Sequence, residues 1–305
     1  MRILITGVAG FIGSNLADCL IEKGYSVKGI DNLAYGVKEQ VPVGVDFHQL
    51  DIRSKKIHPL FEGVDHVFHL AAKNCISDCQ ADAVDTADIN VTGTVCVFEA
   101  ARRAGVKKVV YAESSAVYEG SDLFPTPESE IKPKSFYATS KVASMYFAEA
   151  YKRFCDLRFT GLRYFNVYGP RQDYRRTIPP VMSAFVIRLL KGESPLIYGT
   201  GEKKRDFIYV DDVNNFHLQC ITDARTEGKV YNVGSGRNYS VNEIYQIISE
   251  LLGIHKRPIH KPELPGETEV TLADITEAKK LGWQPKVDIR EGLQKMVAWI
   301  KNNVV

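Results

Sequence analysis

The feature that most constrains the fold of this chain is a set of three glycines, each three residues from the next. Gly7, Gly10 and Gly13 follow a short apolar strand at residues 2–6, and they open a helical pattern over residues 12–23. Apolar residues recur at helical spacing in that segment. A strand, a glycine-rich loop and a helix in direct succession are typical of the first βα unit of a parallel sheet.

Strand and helix patterns continue to alternate after this unit. Near-continuous apolar strands such as ILIT and VFHL indicate burial on both faces of a sheet. The alternation predicts an α/β fold with a Rossmann-type doubly wound parallel sheet. The further predicted strands are SVKGI closing on Asp31, VDFHQL ending on Asp51, HVFHL on Ala71, KKVVYAE on Ser114 and FTGLRY, and the main helical segments are 87–104 and 137–154.

The last third of the chain has a less regular pattern. It predicts short strands at LIY, DFIY and KVYNV and helices near 180–190, 211–222, 241–252 and 289–302. No Gly/Ser-rich spacer precedes it, so we expect a smaller C-terminal substrate-binding region and not a linker-joined domain. The expected division is a Rossmann domain at 1–166, with returning segments from about 205–235, and a mainly substrate-binding region at 167–305; the first of these carries the glycine loop.

Composition excludes several functional classes. The formal net charge of +2 predicts no polyanion or nucleic-acid partner. No apolar run is long enough to cross a bilayer, and the N-terminus lacks the pattern of a signal peptide, so we expect a cytoplasmic protein with no membrane partner. The six cysteines are scattered, which favours reduced thiols. His69, Cys75 and Cys79 are too few ligands for a closed zinc site, and no metal is expected.

The glycine loop predicts a dinucleotide site. Small residues there let the main chain approach a pyrophosphate, while the helix N-terminus supplies free N–H groups and the positive end of a dipole. Asp31 closes the second strand, where a carboxylate can accept hydrogen bonds from the adenosine ribose hydroxyls. A 2′-phosphate would meet a like charge there, so NAD is favoured over NADP. The alternative is that Asp31 only forms a turn before Asn32.

Tyr137 and Lys141 form a Y-x-x-x-K pair on one face of a predicted helix. A neighbouring ammonium favours the phenolate of a tyrosine, and a phenolate can take a proton from a sugar hydroxyl. Such pairs are common, and exposed side chains on a helix are the usual explanation. Ser114 favours the catalytic interpretation, because it ends the fifth strand at the carboxyl edge where open α/β sheets hold ligands. The adjacent Ser115 is either a second substrate contact or a cap residue.

An ordered series of motifs resembles the extended short-chain dehydrogenase/reductases, and among them the UDP-galactose 4-epimerase-like nucleotide-sugar epimerases. The resemblance covers essentially the whole length. The motifs are GVAGFIG, DNL at 31–33, LDI at 50–52, HLAA at 69–72, INVTGT at 89–94, SSAVY at 114–118, YATSK at 137–141, LRYFNVYGPRQ at 162–172, RDFIYVDD at 205–212, YNVGSG at 231–236 and ADITEAKKLGW at 273–283.

This resemblance implies the remaining site residues. Asn166 and the cation Arg205 would hold the substrate diphosphate, and Asp51 and Ile52 would contact the adenine. The implied NAD-binding residues are Gly7, Gly10, Phe11, Ile12, Gly13, Asp31, Asn32, Asp51, Ile52, Leu70, Ala71, Ala72, Lys73, Tyr137, Lys141 and Tyr164. The implied catalytic residues are Ser114, Tyr137 and Lys141, and the implied substrate-binding residues are Ser114, Ser115, Tyr137, Asn166, Arg171, Tyr198, Arg205 and Thr271.

The residues after Ser114 narrow the reaction. Dehydratases of this family carry an acidic pair where this chain has Ser115 and Ala116, and decarboxylases usually keep a glutamate at the second position. Elimination needs an acid and a base there, so their absence favours epimerisation. The implied mechanism is proton removal from the 4-hydroxyl of a nucleotide-activated sugar by Tyr137, hydride transfer from C4 to NAD, rotation of the 4-keto sugar and hydride return to the other face. NAD would stay bound.

Four positions depart from the family pattern. Leu264 stands where an arginine is usual, and Glu113 and Glu119 stand where serine and glycine are usual, so the glutamates are expected to bias the choice of sugar. Thr271 replaces a bulky tyrosine that narrows the pocket in hexose-only epimerases, which favours an N-acetylhexosamine or a broad substrate range. The alternative is that Thr271 is simply a β-branched residue of an edge strand.

Two further functions remain open at this point, together with the oligomeric state. The alternatives are another nucleotide-sugar enzyme of the same family (a UDP-glucuronate epimerase or decarboxylase, a dehydratase or a reductase) and a non-catalytic NAD-binding regulator. The family usually dimerises through two helices, here 87–104 and 137–154, and a homodimer is expected. The apolar contacts would come from Val91, Val95, Phe98, Ala143 and Phe147, which are otherwise ordinary core residues.

Overall fold

The computed structural model describes residues 1–176, 179–263 and 268–305. These residues divide into two compact units. The first unit comprises 1–123, 128–164 and 214–232, and the second unit comprises the described residues of 124–127, 165–213 and 233–305.

The strands lie close to their predicted positions. They are β1 Arg2–Thr6, β2 Ser26–Asp31, β3 Asp46–Gln49, β4 His66–His69, β5 Lys108–Ser114, β6 Phe159–Tyr164, β7 Asn166–Tyr168, β8 Leu196–Tyr198, β9 Lys204–Tyr209, β10 Lys229–Val233, β11 Asn238–Ser240 and β12 Ile259–Lys261. The three-residue strands β7, β11 and β12 were not predicted, whereas β8, which is equally short, was predicted at LIY.

The long helices follow the predicted segments closely, whereas the short helices at 76–81, 83–87 and 276–280 were not predicted. The helices are α1 Phe11–Glu22, α2 Ile76–Ala81, α3 Ala83–Ala87, α4 Gly93–Arg103, α5 Phe136–Cys155, α6 Val181–Leu190, α7 Val210–Thr222, α8 Val241–Leu252, α9 Thr276–Lys280 and α10 Ile289–Asn303. The segment predicted as one helix over 87–104 is divided, because a π-helical turn at Asp88–Thr92 precedes α4. No helix among the described residues has the length and apolar character needed to cross a membrane.

A seven-stranded sheet forms the centre of the fold in the part of the chain that the structure describes, in the order β10-β6-β5-β4-β1-β2-β3. Neighbouring strands from β3 to β6 run parallel. Every residue of β4 and β6 is buried, as expected for strands covered on both faces. The sheet confirms the predicted Rossmann-type α/β fold. It brings the carboxyl ends of β1, β2 and β5 to one edge.

Aromatic side chains of α4 and β5 pack inside the first unit. Phe98 on α4 is fully buried and lies edge-to-face against Tyr111, with ring centroids 5.6 Å apart. Its interpretation as a dimer contact is therefore wrong, because a side chain enclosed in the core of its own unit has no surface to offer a partner.

The second unit is built on a sheet in which β9 pairs parallel with β7 and antiparallel with β11. The buried carboxylate of Asp206 on β9 accepts hydrogen bonds from the main-chain N–H groups of Ser235, Gly236 and Ala273 and from the Ser235 hydroxyl. Because β9 belongs to this sheet, the chain returns to the first unit only at Asn214–Asn232, a shorter segment than the expected 205–235.

Candidate active site

The glycine loop brings main chain against main chain. Gly7 has a φ of +78°, and a Cβ placed on it would lie 2.7 Å from the main-chain nitrogen of Ala71. A Cβ on Gly13 would overlap the carbonyl oxygen of Gly7. The N-cap residue of α1 is Gly10, which has no side chain to accept the first main-chain N–H groups of the helix, those of Phe11 and Ile12. This cradle of main-chain groups fits a pyrophosphate.

The Asp31 carboxylate is held at the carboxyl end of β2. One oxygen accepts the N–H of Leu33 at 2.8 Å and the other accepts the N–H of Ala9 at 3.0 Å. Burial raises the pKa of this carboxyl group. The contact with Leu33 forms a turn, as the alternative interpretation expected, while the contact with Ala9 fixes the carboxylate to the glycine loop. The remaining lone pairs can accept from ribose hydroxyls.

The Asp51 carboxylate already accepts hydrogen bonds from neighbouring side chains. Arg53 donates to both of its oxygens at 2.9 and 2.7 Å, and Asn32 donates to it at 3.1 Å. The Arg53 guanidinium holds the pKa of Asp51 well below its usual range. The side chain of Ile52 is buried against the core. The contacts of Asp51 and Ile52 with adenine, and of Asn32 with NAD, stay predictions.

The segment after β4, predicted to line the cofactor, is held through Asn90. Asn90 lies in the π-helical turn, accepts the N–H of Lys73 at 2.8 Å and donates to the carbonyl of Lys73 at 2.9 Å. It also donates to the Ser140 hydroxyl on α5 at 3.0 Å. Asn90 therefore couples this segment to the helix that carries Tyr137 and Lys141. In the sequence it was visible only as a letter of the INVTGT motif.

Other members of this segment have fixed places. The main chain of Leu70 donates to Thr6 at 3.0 Å, and Ala71 and Ala72 are half-buried beside it. The ammonium of Lys73 forms an ion pair with Asp85 at 2.8 Å. The Lys73 side chain is thus directed to α3, and a role in lining the cofactor falls to its main chain.

Tyr137 and Lys141 are both buried, which rules out the interpretation as an exposed pair. Ser135 caps α5, so Tyr137 is the second residue of the helix and Lys141 lies one turn later. The Lys141 ammonium donates to the carbonyl of Ala112 at 3.0 Å and lies 5.8 Å from the centre of the Tyr137 ring. Burial lowers the pKa of Lys141 to about 8.

Ser114 ends β5 and begins the turn Ser115–Tyr118. Its hydroxyl oxygen accepts the N–H of Ala116 at 3.2 Å. The structure gives the hydroxyl proton no acceptor among the described residues. Ser114 can therefore donate a hydrogen bond to a ligand oxygen.

Glu113 points away from Ser114, because successive side chains of a strand alternate between the two faces of a sheet. Its carboxylate is fully buried and accepts from Arg163 at 2.6 Å and from the Tyr111 hydroxyl. Arg163 also donates to the Tyr118 hydroxyl at 2.9 Å. The expectation that Glu113 biases the choice of sugar is wrong, since the group is committed to this internal network.

Tyr164 lies inside the first unit. Its hydroxyl is 2.6 Å from Nε2 of the buried His217. Burial raises the pKa of Tyr164 well above its usual value and lowers that of His217 to about 3. The hydroxyl is thus neutral and engaged, and a contact with the nicotinamide would involve the ring.

In the second unit, Asn166 and Thr271 form a fixed pair. The Asn166 amide donates to the carbonyl of Asp206 at 2.9 Å and to the Thr271 hydroxyl at 3.2 Å. The Thr271 hydroxyl also accepts the N–H of Asp206 at 3.0 Å. Both amide protons of Asn166 are therefore used, and its carbonyl oxygen is the group that remains for a ligand.

The other predicted substrate residues of the second unit lie on separate segments. Arg205 is half-buried on β9 and donates to the carbonyls of Lys204 and Glu269 at 3.1 and 3.3 Å. Tyr198 ends β8, and Arg171 follows β7 with a left-handed φ of +67°. Leu264 lies outside the described residues.

His69, Cys75 and Cys79 do not converge. The two ring nitrogens of His69 lie 2.7 and 2.9 Å from the hydroxyls of Thr6 and Thr94. Among the described residues, no group of three or more His, Cys, Asp or Glu side chains could hold a metal ion.

Comparison with known proteins agrees with this architecture. The model of the NAD dependent epimerase/dehydratase family matches residues 3–234. A putative UDP-glucose 4-epimerase of Methanocaldococcus jannaschii is 37% identical over 305 residues, with 99% of each chain covered.

Two solved structures are also similar. The UDP-glucose 4-epimerase of Thermotoga maritima with UDP-glucose has a TM-score of 0.96 and 36% identity, and all of both chains is covered. The UDP-N-acetylglucosamine 4-epimerase of Methanobrevibacter ruminantium in complex with UDP-N-acetylmuramic acid has a TM-score of 0.95 and 32% identity, with 99% of each chain covered. With its glycine cradle, its buried Tyr137–Lys141 pair and these matches, the chain belongs to the NAD dependent epimerase/dehydratase family.

Proposed function

We propose that this protein is an NAD-dependent epimerase that inverts C4 of a UDP-hexose or a UDP-N-acetylhexosamine. The observation that carries the proposal is the buried pair of Tyr137 and Lys141, on a helix that Asn90 couples to the cofactor-lining segment. Relatives named as UDP-glucose and UDP-N-acetylglucosamine 4-epimerases support the choice of reaction.

The glycine cradle and Asp31 fit NAD. Gly7 and Gly13 let the main chain of the loop pack closely against itself and against Ala71, so no Cβ intervenes at these two positions at the start of α1, where a pyrophosphate would bind. Asp31 would accept from the ribose hydroxyls and repel a 2′-phosphate. When bound, NAD supplies the acceptor and the donor of a hydride.

The chain's own groups handle the proton and orient the sugar. The Tyr137 oxygen takes the proton of the 4-hydroxyl and later returns it. The Lys141 ammonium, desolvated beside the tyrosine ring, favours the phenolate form. Ser114 donates its free hydroxyl proton to the reacting oxygen, where charge develops. No acidic side chain follows Ser114 at positions 115 and 116, so this site has no pair for elimination of water.

The orientation of the Asn166 amide changes the role expected for that residue. Its two N–H groups face the carbonyl of Asp206 and the hydroxyl of Thr271, and a diphosphate offers only acceptors. We therefore propose that Asn166 accepts a hydrogen bond from a hydroxyl or N–H group of the nucleotide sugar. Contact with the diphosphate is left to Arg205. The small Thr271 leaves room for an N-acetyl group.

We further propose that the protein is a cytoplasmic homodimer. Thiols fit a reducing compartment, and none of the six cysteines, all of which lie among the described residues, forms a disulfide. For the dimer contact, Val91, Val95 and Ala143 are half-buried and Phe147 is exposed, so these four side chains retain apolar surface. Phe98 is no longer among the contact candidates.

A cofactor-free assay tests the reaction. The purified protein is incubated with UDP-glucose, UDP-N-acetylglucosamine or UDP-glucuronate without added NAD, and the products are separated. We expect a C4 epimer of at least one of them. A 6-deoxy-4-keto sugar, a pentose, carbon dioxide or a need for stoichiometric NAD would refute the proposal in favour of the related dehydratases, decarboxylases and reductases. No turnover of any sugar by NAD-loaded protein would favour the regulator.

Variants of two tyrosines on α5 test the mechanism. Tyr137→Phe is expected to lose activity, while Tyr146→Phe, which alters an exposed tyrosine of the same helix, is expected to retain it. Full activity of Tyr137→Phe would exclude the mechanism even if epimerisation itself is observed.

A further inference from the structure

The carboxylate of Glu119 lies at the N-terminus of the catalytic helix. One of its oxygens accepts the main-chain N–H of Ser135 at 2.8 Å and that of Lys134 at 3.2 Å. The other oxygen lies 3.0 Å from the Ser135 hydroxyl. Three donors from one short segment thus converge on a single side chain that is remote in sequence.

Ser135 is itself the N-cap of α5. Its hydroxyl oxygen accepts the N–H of Ala138 at 3.1 Å, so its proton is free to be donated to Glu119. A carboxylate in this position also faces the positive end of the dipole of a 20-residue helix. Glu119 therefore stabilises the helix start both by hydrogen bonds and by charge.

The contact between Glu119 and Ser135 joins the segment that carries Ser114 to the helix that carries Tyr137. Glu119 directly follows the turn 115–118 that begins at Ser114, and Ser135 precedes Tyr137 by two residues. Main-chain hydrogen bonds already join Val117 and Gly120 to Lys132 at 2.8 and 2.9 Å. Those bonds join the two loops, but neither bond involves a residue of α5.

Only two side chains are seen to accept from the main-chain N–H groups of residues 134–136 within the described ranges. One is Glu119, and the other is Gln80, which accepts from Phe136 at 3.2 Å. Gln80 is exposed on α2, whereas Glu119 lies in the segment that leads from Ser114. Among the described residues, Glu119 thus forms the side-chain link between the Ser114 loop and the start of α5.

We propose that Glu119 is a positioning residue that sets the distance between the Ser114 and Tyr137 hydroxyls. This inference rests on the proposed function, because it assumes that both hydroxyls act on one sugar oxygen. Displacement of a catalytic group by about 1 Å can cost roughly a hundredfold in rate. The family resemblance places glycine at this position, which has no side chain to make the contact.

The test compares Glu119→Gln with a matched variant, Glu243→Gln. Glu243 also binds a helix start, since it accepts the N–H of Ser240 at 2.6 Å in the capping box of α8. Each substitution removes one capping carboxylate. At Glu119 the replacement amide presents N–H groups where three donors converge, and at Glu243 it presents them where one N–H group donates. A loss that reflects capping alone would be alike in the two variants.

We expect kcat of Glu119→Gln to fall roughly ten- to a hundredfold, with KM for the nucleotide sugar and the content of bound NAD unchanged. The kinetic isotope effect with a C4-deuterated sugar should rise, because chemistry becomes slower relative to binding and release. Glu243→Gln should keep the wild-type kcat and isotope effect. Equal kcat in all three proteins, or a fall in KM and kcat together, would overturn the proposal.

A second measurement separates this inference from the proposed function. Amide hydrogen exchange at Lys134 and Ser135 should accelerate in Glu119→Gln whether or not the protein is an epimerase. If the wild-type protein epimerises no sugar, the proposed function fails while the exchange data still report the contact. If the protein is an epimerase and exchange at these amides is unchanged in the variant, Glu119 does not hold the helix and the positioning role is refuted.

Discussion

At the residue scale, Lys141 shows the cost of burying a charged group. Its ammonium is buried with one main-chain acceptor, Ala112, and the pKa of the group falls to about 8 because burial disfavours the charged form. Near neutral pH the lysine is still protonated, so the folded protein carries the cost of a desolvated charge. A site kept for stability alone would have no reason to hold it.

Replacing this lysine by methionine is expected to abolish epimerisation and to raise the free energy of unfolding at pH 7 by roughly 1–3 kcal/mol. Between pH 8 and about 10.4 the folded protein has released the proton that the unfolded chain retains, so wild-type stability rises with pH there. The advantage of Lys141→Met should therefore shrink over that window. Denaturant unfolding at pH 7 and pH 10 measures it.

Lys108→Met is the matched control for this prediction. Lys108 is another buried lysine of the first unit, bound to the carbonyl of Cys220 and the hydroxyl of Thr226, and burial lowers its pKa too. It lies at the opposite end of β5 from Ser114, so its replacement should leave kcat intact. If Lys141→Met is less stable than the wild type at pH 7, the buried charge is not costly and the argument fails.

Two properties of the Thr271 side chain are relevant here: its small volume and the hydroxyl that orients the Asn166 amide. Thr271→Tyr is expected to lower kcat/KM for UDP-N-acetylglucosamine at least about tenfold more than for UDP-glucose, since one excluded group in a pocket is worth roughly 1–3 kcal/mol. Thr271→Val keeps the volume and removes the hydroxyl that Asn166 binds, so it should affect both sugars alike. Equal losses for both sugars with Thr271→Tyr would contradict the role in size selection.

At the scale of elements, the glycine loop and the helix ends determine how the site is held. The loop between β1 and α1 is packed so closely that main-chain atoms of Ala71 and Gly7 occupy the space where side chains of Gly7 and Gly13 would lie. The π-helical turn at Asp88–Thr92 presents Asn90 to both the cofactor-lining segment and α5. The loop between β1 and α1 and the π-helical turn thus fix the positions of main-chain and side-chain groups that come from distant parts of the sequence.

Gly7 and Gly24 offer a matched pair, since both have a φ of +78°. Gly24→Ala meets nothing within 4 Å and should cost about 1–2 kcal/mol of unfolding free energy from backbone strain alone. Gly7→Ala adds a collision with the main chain of Ala71, so it should cost more and should strip bound NAD from the purified protein. Denaturant unfolding and the NAD content after acid release measure the two effects. Equal costs with NAD retained in both variants would refute the close-approach argument.

At the scale of the whole molecule, buried neutral groups predict how the fold responds to acid. Burial lowers the pKa of His69 and of His217 to about 3. Both rings sit among aromatic neighbours, and His217 meets Phe68 edge-on with ring centroids 5.2 Å apart. An unfolded histidine takes up a proton near pH 6.5, which the folded protein cannot do at these two positions.

The two histidines should therefore destabilise the fold as pH falls from about 6.5 to 3, by roughly 1.4 kcal/mol per pH unit each. Above pH 6.5 both states are unprotonated and the effect vanishes. In the His217→Gln variant the unfolding free energy should fall with pH about half as steeply, while the glutamine side chain keeps an acceptor for the Tyr164 hydroxyl. Urea unfolding between pH 5 and 8 measures it, and a slope unchanged by the substitution would show that His217 is not the source.

The proposed homodimer makes a prediction at the same scale. Phe147→Glu places a charge on the exposed face of α5 and is expected to shift the protein to monomers in sedimentation equilibrium at micromolar concentration. Val84→Glu alters another exposed apolar residue, on α3, and should leave the dimer intact. A wild-type protein that is already monomeric would exclude the dimer.

Much of the architecture was readable from the sequence because it depends on local patterns. The period of the apolar residues predicted every long strand and helix, and the spacing of Gly7, Gly10 and Gly13 predicted the cradle. Tyr137 and Lys141 could be paired because helical geometry alone places residues four apart on one face. These inferences need only neighbouring residues, so the fold class and the helix that carries Tyr137 and Lys141 followed directly.

The tertiary structure decided which partner each polar group has. Glu113 and Glu119 were expected to bias the choice of sugar. Strand alternation turns Glu113 to Arg163, 50 residues away, and Glu119 binds a helix start 16 residues later. Asn166 takes its orientation from Thr271, 105 residues along the chain. Sequence periodicity shows which face of an element is apolar, whereas a hydrogen-bond partner is chosen by how whole elements pack, and packing brings together residues whose separation in sequence carries no signal.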